Sequence, residues 1–221
     1  MGQQISKTSA GPAVGVERER ELAAVSAWAR AALTDPQVCV LDTETTGVGQ
    51  DARIVEISVL GVDGQVLLDT LVNPGVPIPA EASAVHGITD AMVADAPPFS
   101  EVLVPLTTAL FDRRVLVYND RFDVGRLRLE LELHYRRTHE DAAACADSWI
   151  AAMTWDDVMG PYATWCGVWS PERGRYSHQP LGGAHRALGD CRAVLSLLER
   201  LSGPAAAPVP GQSLLTAPET I

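Results

Sequence analysis

The sequence predicts an α/β fold in which helices flank a mixed sheet of about five strands. Three observations support this prediction. Short apolar runs that are typical of strands alternate with longer segments whose apolar residues recur every three or four positions. An Asp-Gly pair between two apolar runs indicates a hairpin, which places antiparallel strands in the sheet. The length of 221 residues favours a single main domain.

The predicted elements follow one another in an order that suits such a sheet. Asp63-Gly64 separates two apolar runs, so these runs are expected to pair as a hairpin. Leu22, Val25 and Ala29 fall on one face of the first helix. The predicted helices cover about 17–33, 100–110, 121–137, 155–166 and 185–202, and the predicted strands cover about 37–44, 53–61, 65–72, 114–119 and 145–151.

Composition divides the chain into one domain and two appendages. Residues 1–16 contain Gly, Ser and Pro without periodicity, which predicts a mobile N-terminal arm. Residues 17–202 carry the periodic segments and form the predicted domain. Residues 203–221 are rich in Pro and Ala, so they are expected to be disordered.

Charge and cysteine content exclude several classes of protein. The net charge of −11 disfavours a protein that coats nucleic acid non-specifically, because attraction to phosphates requires clustered Lys and Arg. No apolar run approaches the roughly 20 residues that span a bilayer, so no membrane partner is expected. The four cysteines lie apart without the paired spacing of a zinc site, and they favour a cytoplasmic location.

Two carboxylates stand at the end of the first predicted strand, in the segment VLDTETTG. Asp42 and Glu44 are two residues apart, so in a strand their side chains point to the same side, where they repel each other. Thr45, Thr46 and Gly47 then turn the chain. By itself this pattern fits a solvated turn as well as a binding site.

Two further acids and a histidine occupy comparable positions. Asp123 heads the stripe formed by Leu127 and Leu131, although the helix dipole also favours an acid in a first turn. Asp190 falls on the inward face of the last helix, where solvation does not explain it. His185 precedes Asp190 by five residues, where a cap or a surface histidine is also common. Four acids without soft ligands favour a pair of hard cations, which stabilise the attacking and leaving oxygens in phosphoryl transfer.

Three motifs give the chain a resemblance to a known family. DTETTG, NDRFD and HRALGD occur in order and match the motifs D-x-E-T-T-G, N-x-x-F-D and H-x-x-x-x-D of the DEDDh 3′–5′ exonucleases. This family includes the proofreading epsilon subunit of DNA polymerase III, and RNase T is a relative. The segments IVEISVL and HGITDAMVADAPPF are similar to the family as well. The resemblance covers about residues 37–201 and implies an RNase H-like fold.

The resemblance implies a role for each motif residue. His185 would be the general base that deprotonates the attacking water, a task that suits a group with a pKa near neutrality. The sister branch of the family has a tyrosine four residues before the last aspartate, and that position is Arg186 here, so the histidine branch fits better. Two Mg²⁺ or Mn²⁺ ions would be held by Asp42, Glu44, Asp123 and Asp190.

Other residues are predicted to lie at the substrate. Arg173 and Arg175 are near the site in sequence and suit phosphate contacts, although ordinary surface arginines fit these positions equally well. His86 fits either a position near the site or a turn, of which the turn is favoured, and Phe122 is interpreted as a core residue. The residues predicted to bind substrate are Thr45, Thr46, Gly47, Asn119 and Arg186.

The family resemblance implies that the substrate is a nucleic acid with a free 3′ end, hydrolysed to nucleoside monophosphates. Single-stranded DNA is favoured over RNA, because RNA-trimming relatives stack bases on several phenylalanines and this chain has three. Its five tryptophans keep base stacking open. The alternatives are an RNA-trimming 3′–5′ exoribonuclease and a chiefly structural subunit docked to a polymerase or another replication or repair partner.

Overall fold

The computed structural model describes residues 11–203. A mixed sheet lies at its centre, formed by β1 (Val38–Thr45), β2 (Ile54–Gly61), β3 (Val66–Leu71), β4 (Arg114–Val117) and β5 (Thr154–Asp157). The strand order is β3-β2-β1-β4-β5. The first three strands pair antiparallel, whereas β4 and β5 run parallel to β1. The predicted fold class, a mixed five-stranded sheet flanked by helices, is confirmed.

Helices cover both faces of this sheet. The helices within residues 11–203 are α1 (Val16–Thr34), α2 (Ala80–His86), α3 (Asp90–Val93), α4 (Phe99–Leu110), α5 (Asp120–Tyr135), α6 (Ala142–Ala151), α7 (Met159–Cys166) and α8 (Ala187–Ser202). One core lies between the sheet and α1, α7 and α8, and the other between the sheet and α4, α5 and α6. A short hairpin of β6 (Trp169–Ser170) and β7 (Arg175–Tyr176) precedes α8.

Strand β1 contributes to both cores. Val38 and Val40 pack in the core on the α8 side, whereas Cys39 and Leu41 pack in the core on the α5 side. Because β1, β4 and β5 are parallel, their C-terminal ends lie at one edge of the sheet. Residues that follow these strands therefore come together there.

The hairpin prediction is confirmed and the fifth-strand prediction is wrong. Gly64 takes a φ of 84° in the turn between β2 and β3. Residues 145–151, predicted as a strand, belong to α6, since Asp141 caps this Ala-rich helix by accepting a hydrogen bond from the Ala144 N–H at 2.9 Å. The predicted helix 155–166 divides into β5 and α7.

Phe122 does not belong to either core. Its side chain is half-buried, and the Arg126 guanidinium lies 5.6 Å from the centroid of its ring. The Phe122 ring thus makes a cation–π contact at the start of α5. The prediction that Phe122 is a core residue is wrong.

The predicted arm and tail are largely outside the described part of the chain. Helix α1 begins at Val16, next to the predicted boundary of the domain. Residues 1–10 and 204–221 lie outside the described residues, so the mobile arm and the disordered tail stay predictions. Between residues 11 and 203, no helix is both long enough and apolar enough to cross a membrane. The cytoplasmic location stays a prediction.

Candidate active site

Three carboxylates converge at the C-terminal end of β1. Asp42 and Glu44 continue the face of β1 that is turned toward α8, and Asp190 lies in the first turn of α8. One oxygen of each lies within 4.8 Å of those of the other two. The Asp190 Oδ1 is buried and has no hydrogen-bond partner among the described residues. An orphaned oxygen within a group of acids fits a divalent cation, so the donor set suits Mg²⁺ or Mn²⁺.

The fourth acid, Asp123, approaches β1 from the opposite side. It is 3% exposed in the first turn of α5. Its Oδ1 accepts hydrogen bonds from the Thr43 hydroxyl at 2.6 Å and from the Thr43 N–H at 3.1 Å. Thr43 lies between Asp42 and Glu44 and points away from them. Asp123 is thereby fixed against the strand segment that carries the other acids.

The crowding of these acids changes their pKa values. Burial, reinforced by the charges of Asp123 and Asp190, raises the pKa of Asp42 well above its usual range. Burial also raises the pKa of Glu44 to about 8 and that of Asp123 to about 7. The pKa of Asp190 is raised by burial as well. In the absence of a cation, the burial of these carboxyls favours their protonated forms, because unpaired buried charges are costly.

The loop before α8 packs against Asp190. A Cβ at Gly183 would overlap the Asp190 carboxylate, so a larger residue here would displace that carboxylate. The backbone N–H groups of Ala184 and His185 oppose the effect of burial and lower the pKa of Asp190. His185 is exposed, and its φ of 52° lies in the left-handed region. The predicted base therefore stands on a turn beside one of the predicted metal ligands.

The turn after β1 engages its own hydroxyl groups. Thr45 and Thr46 are both buried. The Thr45 hydroxyl donates to the Gly47 carbonyl at 2.7 Å, and the Thr46 hydroxyl accepts from the Arg53 N–H at 3.0 Å. Gly47 has a φ of 147°, a conformation that favours glycine. The hydrogen bonds of these two hydroxyls thus stabilise the turn. Its contact with substrate stays a prediction.

His86 closes a turn, as predicted, and also contacts the end of β1. The Ile88 N–H donates to His86 Nδ1 at 3.0 Å, so the ring hydrogen is on Nε2. Nε2 lies 3.1 Å from the Thr45 carbonyl oxygen and donates to it. Burial lowers the pKa of His86, which favours the neutral ring. Sequence reasoning missed this second contact, because it joins segments 41 residues apart.

The other predicted substrate residues stand at the starts of α5 and α8. Asn119 has a φ of 68°, and its N–H donates to Asp157 Oδ1 at 3.2 Å. Arg186 forms an ion pair with Glu56, a buried residue of β2 that sequence reasoning did not single out. Its signal was present as a single acid within the apolar strand IVEISVL. Substrate contacts of Asn119 and Arg186 stay predictions.

Comparison with known proteins shows the class to which this site belongs. Residues 39–198 match the exonuclease family. An uncharacterised exonuclease of Escherichia phage 186 is 34% identical over 190 residues, which cover 81% of this chain and 95% of that protein. The chain is therefore an exonuclease, an enzyme that hydrolyses phosphodiester bonds. Because the motifs DTETTG, NDRFD and HRALGD also occur in this order, the chain belongs to the DEDD-type exonuclease family.

Other relatives are matched over part of their length. A DNA polymerase III subunit epsilon-like protein of Rhodobacter capsulatus is 49% identical over 110 residues, covering 47% of this chain and 16% of that protein. The DNA polymerase III epsilon subunit of Pasteurella multocida is 35% identical over 103 residues, covering 42% and 41%. Exonuclease I of Methylocaldum szegediense has a TM-score of 0.54 at 21% identity, covering 74% of this chain and 39% of that chain. The last comparison confirms the RNase H-like fold.

Proposed function

We propose that this exonuclease releases nucleoside monophosphates from the 3′ end of single-stranded DNA with the help of two Mg²⁺ or Mn²⁺ ions. The observation that carries the proposal is the group formed by Asp42, Glu44 and Asp190, with its orphaned buried oxygen. Asp123, fixed by Thr43, would complete the ligand set. When bound, the two ions would supply charge stabilisation for the attacking and leaving oxygens.

Each remaining group has a defined task in this proposal. His185, exposed on the turn before α8, would accept a proton from the water that attacks the last phosphodiester. The bond from phosphorus to the 3′ oxygen of the preceding nucleotide breaks, which yields a 5′-monophosphate and a new 3′ hydroxyl. The segment of Thr45, Thr46 and Gly47 would receive the terminal nucleotide through its remaining backbone groups, because both threonine hydroxyls and the Thr46 N–H are already engaged.

The preference for DNA draws on the relatives. Two of them are named for the epsilon subunit of DNA polymerase III. E. coli Exonuclease I, which shares the fold at 16% identity and a TM-score of 0.55, was solved in complex with single-stranded DNA. A 3′–5′ exoribonuclease is the alternative from the same enzyme class, and the assay below distinguishes the two.

A polymerase or another replication or repair protein is the proposed partner, since epsilon relatives are polymerase subunits by name. A chiefly structural role is disfavoured by the presence of all four acids and His185. Deletion of residues 203–221 tests whether this segment tethers the exonuclease domain to its partner. Loss of partner binding with unchanged digestion would support such a tether. Unchanged partner binding would contradict a tether in this segment.

The decisive assay digests 5′-labelled single-stranded DNA, duplex DNA with a mismatched 3′ end, and RNA side by side in Mg²⁺ or Mn²⁺. A ladder that shortens from the 3′ end, with single-stranded DNA consumed fastest and with loss of activity in chelator, is the expected result. An intact DNA 3′ end, shortening from the 5′ end, or faster digestion of RNA would contradict the proposal. Asp42→Asn serves as the inactive control.

A further inference from the structure

Glu56 is a buried carboxylate beside the proposed active site. Its side chain is 5% exposed, and both of its oxygens accept hydrogen bonds from the start of α8. The Arg186 Nε lies 3.1 Å from Oε1 and 3.0 Å from Oε2, its Nη2 also donates to Oε1, and the Ala187 N–H lies 2.9 Å from Oε2. A carboxylate so far from water requires such partners. We call Glu56, Arg186 and Ala187 the β2–α8 clamp.

The clamp lies immediately beside His185. The φ of 52° at His185 is a conformation that a non-glycine residue keeps only where its surroundings hold it. No hydrogen bond found within residues 11–203 involves the His185 imidazole. The backbone that carries this ring is therefore oriented by two neighbours: the Asp190 carboxylate beside the His185 N–H, and Arg186, whose guanidinium is fixed on β2.

The clamp also sets where α8 begins. Arg186 is the N-cap residue of α8, but its side chain does not cap the helix. Glu56 supplies an acceptor from β2 for the Ala187 N–H, and a negative charge at a helix N-terminus is favoured by the helix dipole. Asp190 follows one turn later, and its N–H donates to the Arg186 carbonyl at 2.9 Å. The same anchor thus fixes both His185 and Asp190.

Arg186 balances a charge that would otherwise disturb the acids. Glu56 lies directly opposite Glu44 in the antiparallel register of β1 and β2. Like charges in this arrangement destabilise a sheet. Without Arg186, an uncompensated carboxylate would stand beside the residues proposed to bind metal.

We infer that the β2–α8 clamp is a positioning device, in which Glu56 and Arg186 aim His185 at the attacking water without contacting the substrate. The inference rests on the proposed function, in which His185 is the base. It gives Arg186 a different role from the predicted substrate contact, and the two roles predict different kinetics. A positioning residue acts on kcat, whereas a phosphate contact acts on KM.

The first test measures kcat and KM on a single-stranded oligonucleotide for Arg186→Gln and Glu56→Gln. The kcat is expected to fall about 10- to 100-fold with KM nearly unchanged, because a misplacement of about 1 Å costs that much. Arg186→Lys keeps the charge but loses the planar fork, so its kcat should be intermediate. A raised KM with unchanged kcat in the Arg186 variants would overturn the inference in favour of a substrate contact.

The chain offers a matched control in a second buried Arg–Glu pair. Glu130 is 2% exposed and accepts from Arg53 Nε at 2.8 Å, from Arg53 Nη2 at 2.7 Å and from the Ile54 N–H at 3.1 Å. Glu130→Gln should lower the melting temperature much as Glu56→Gln does, while its kcat stays within about twofold of the wild type. An equal loss of kcat in Glu56→Gln and Glu130→Gln would show that the clamp stabilises the fold without positioning His185.

A double mutant distinguishes an effect of the β2–α8 clamp on His185 from an effect of the clamp on other parts of the site. In a His185→Ala background, Glu56→Gln should cause a much smaller loss of kcat than in the wild type, because only the effect of the clamp on Asp190 remains. Losses that multiply would overturn the inference. If Glu56→Gln does not fold, the Arg186 variants carry the same test, since the Arg186 side chain is 45% exposed. Failure of the proposed function is distinct, because the wild type itself would then leave 3′ ends intact.

Discussion

At the scale of single residues, Asp42 shows the conflict on which the site depends. Its half-buried carboxyl is partly removed from water and lies near the charges of Asp123, Asp190 and Glu44, so its pKa is raised well above the usual range. A group in this position destabilises the metal-free protein when it is ionised and becomes useful when a cation is bound. Stability and function therefore oppose each other at this residue.

Asp42→Asn should separate these two effects. Loss of a metal ligand removes several kcal/mol of transition-state stabilisation, so nuclease activity should fall about a thousandfold or more. The melting temperature in chelator should rise, because the repulsion among the acids is relieved. Asp95→Asn, at an exposed position, is the control and should change neither quantity. A lower melting temperature for folded Asp42→Asn in chelator would contradict this explanation.

The same residues predict how stability depends on pH. In the unfolded chain these carboxyls titrate near pH 4, whereas the folded pKa is about 8 for Glu44 and about 7 for Asp123. Between these values the folded protein binds more protons than the unfolded chain, so the free energy of unfolding should fall as pH rises. Denaturant titrations in chelator measure this slope, and Glu44→Gln should flatten it.

Metal should reverse the trend, because cations compete with protons for the carboxylates. Mn²⁺ is therefore expected to raise the melting temperature more at about pH 8 than at about pH 6. A metal-free protein whose stability increases over this range would show that the acids are ionised in the fold.

At the scale of elements, the loop before α8 is fitted to a single carboxylate. Gly183→Ala would place a Cβ on the Asp190 carboxylate, which must then move. We expect this variant to lose about 10- to 100-fold in activity and to bind Mn²⁺ more weakly, as measured by calorimetry. Gly125→Ala in α5 is the matched control, since nothing lies within 4 Å of its Cβ position. It should retain activity and gain up to about 1 kcal/mol in helix stability.

Elements whose apolar residues recur with a clear period could be predicted from the sequence. Elements that depend on a helix cap or on a few polar residues could not. The stripe of Ala187, Cys191, Val194 and Leu198 is buried as its spacing indicates, and this placed Asp190 correctly. Strand β5 has four residues, of which two are aspartates, so it shows no period of its own. The apolar residues of the run 145–151 favour a strand by themselves, and the cap at Asp141 that begins the helix lies outside that run.

Polar contacts between residues far apart in the sequence could not be predicted, for a different reason. Asp123 and Thr43 are 80 residues apart, and Glu56 and Arg186 are 130 apart. Local patterns indicate that a charged residue is buried, but the fold alone decides which partner compensates it. The convergence of Asp42, Glu44 and Asp190 could therefore be predicted, whereas the contacts of the clamp and the His86 contact with Thr45 could not.

At the scale of the whole molecule, a net charge of −11 must be reconciled with a polyanionic substrate. A cavity of about 440 Å³ lies beside the ends of β4 and β5, at the same sheet edge as the acids. Arg121, Arg175 and His178 line it, together with the acidic residue Asp120. Asp157 also lines it, but its oxygens accept hydrogen bonds from the N–H groups of Asn119, Met159 and Gly160. The Tyr118 hydroxyl donates to the Gln179 carbonyl and ties the loop that carries His178 to this edge.

Arg175 should therefore contact a phosphate of the substrate strand beyond the reacting nucleotide. Neighbouring strands are about 4.8 Å apart, so β5 lies about 10 Å from β1, a distance of one to two nucleotides. Arg175→Ala should raise KM for a single-stranded oligonucleotide several-fold and lower the slope of log KM against log salt by about 0.7, the contribution of one phosphate contact. Hydrolysis of the p-nitrophenyl ester of thymidine 5′-monophosphate, which lacks that phosphate, should be unchanged. Arg20→Ala, at an exposed arginine of α1, is the matched control and should leave the salt slope as it is; an equal change in both variants would mean that net charge, and not this cavity, guides the strand.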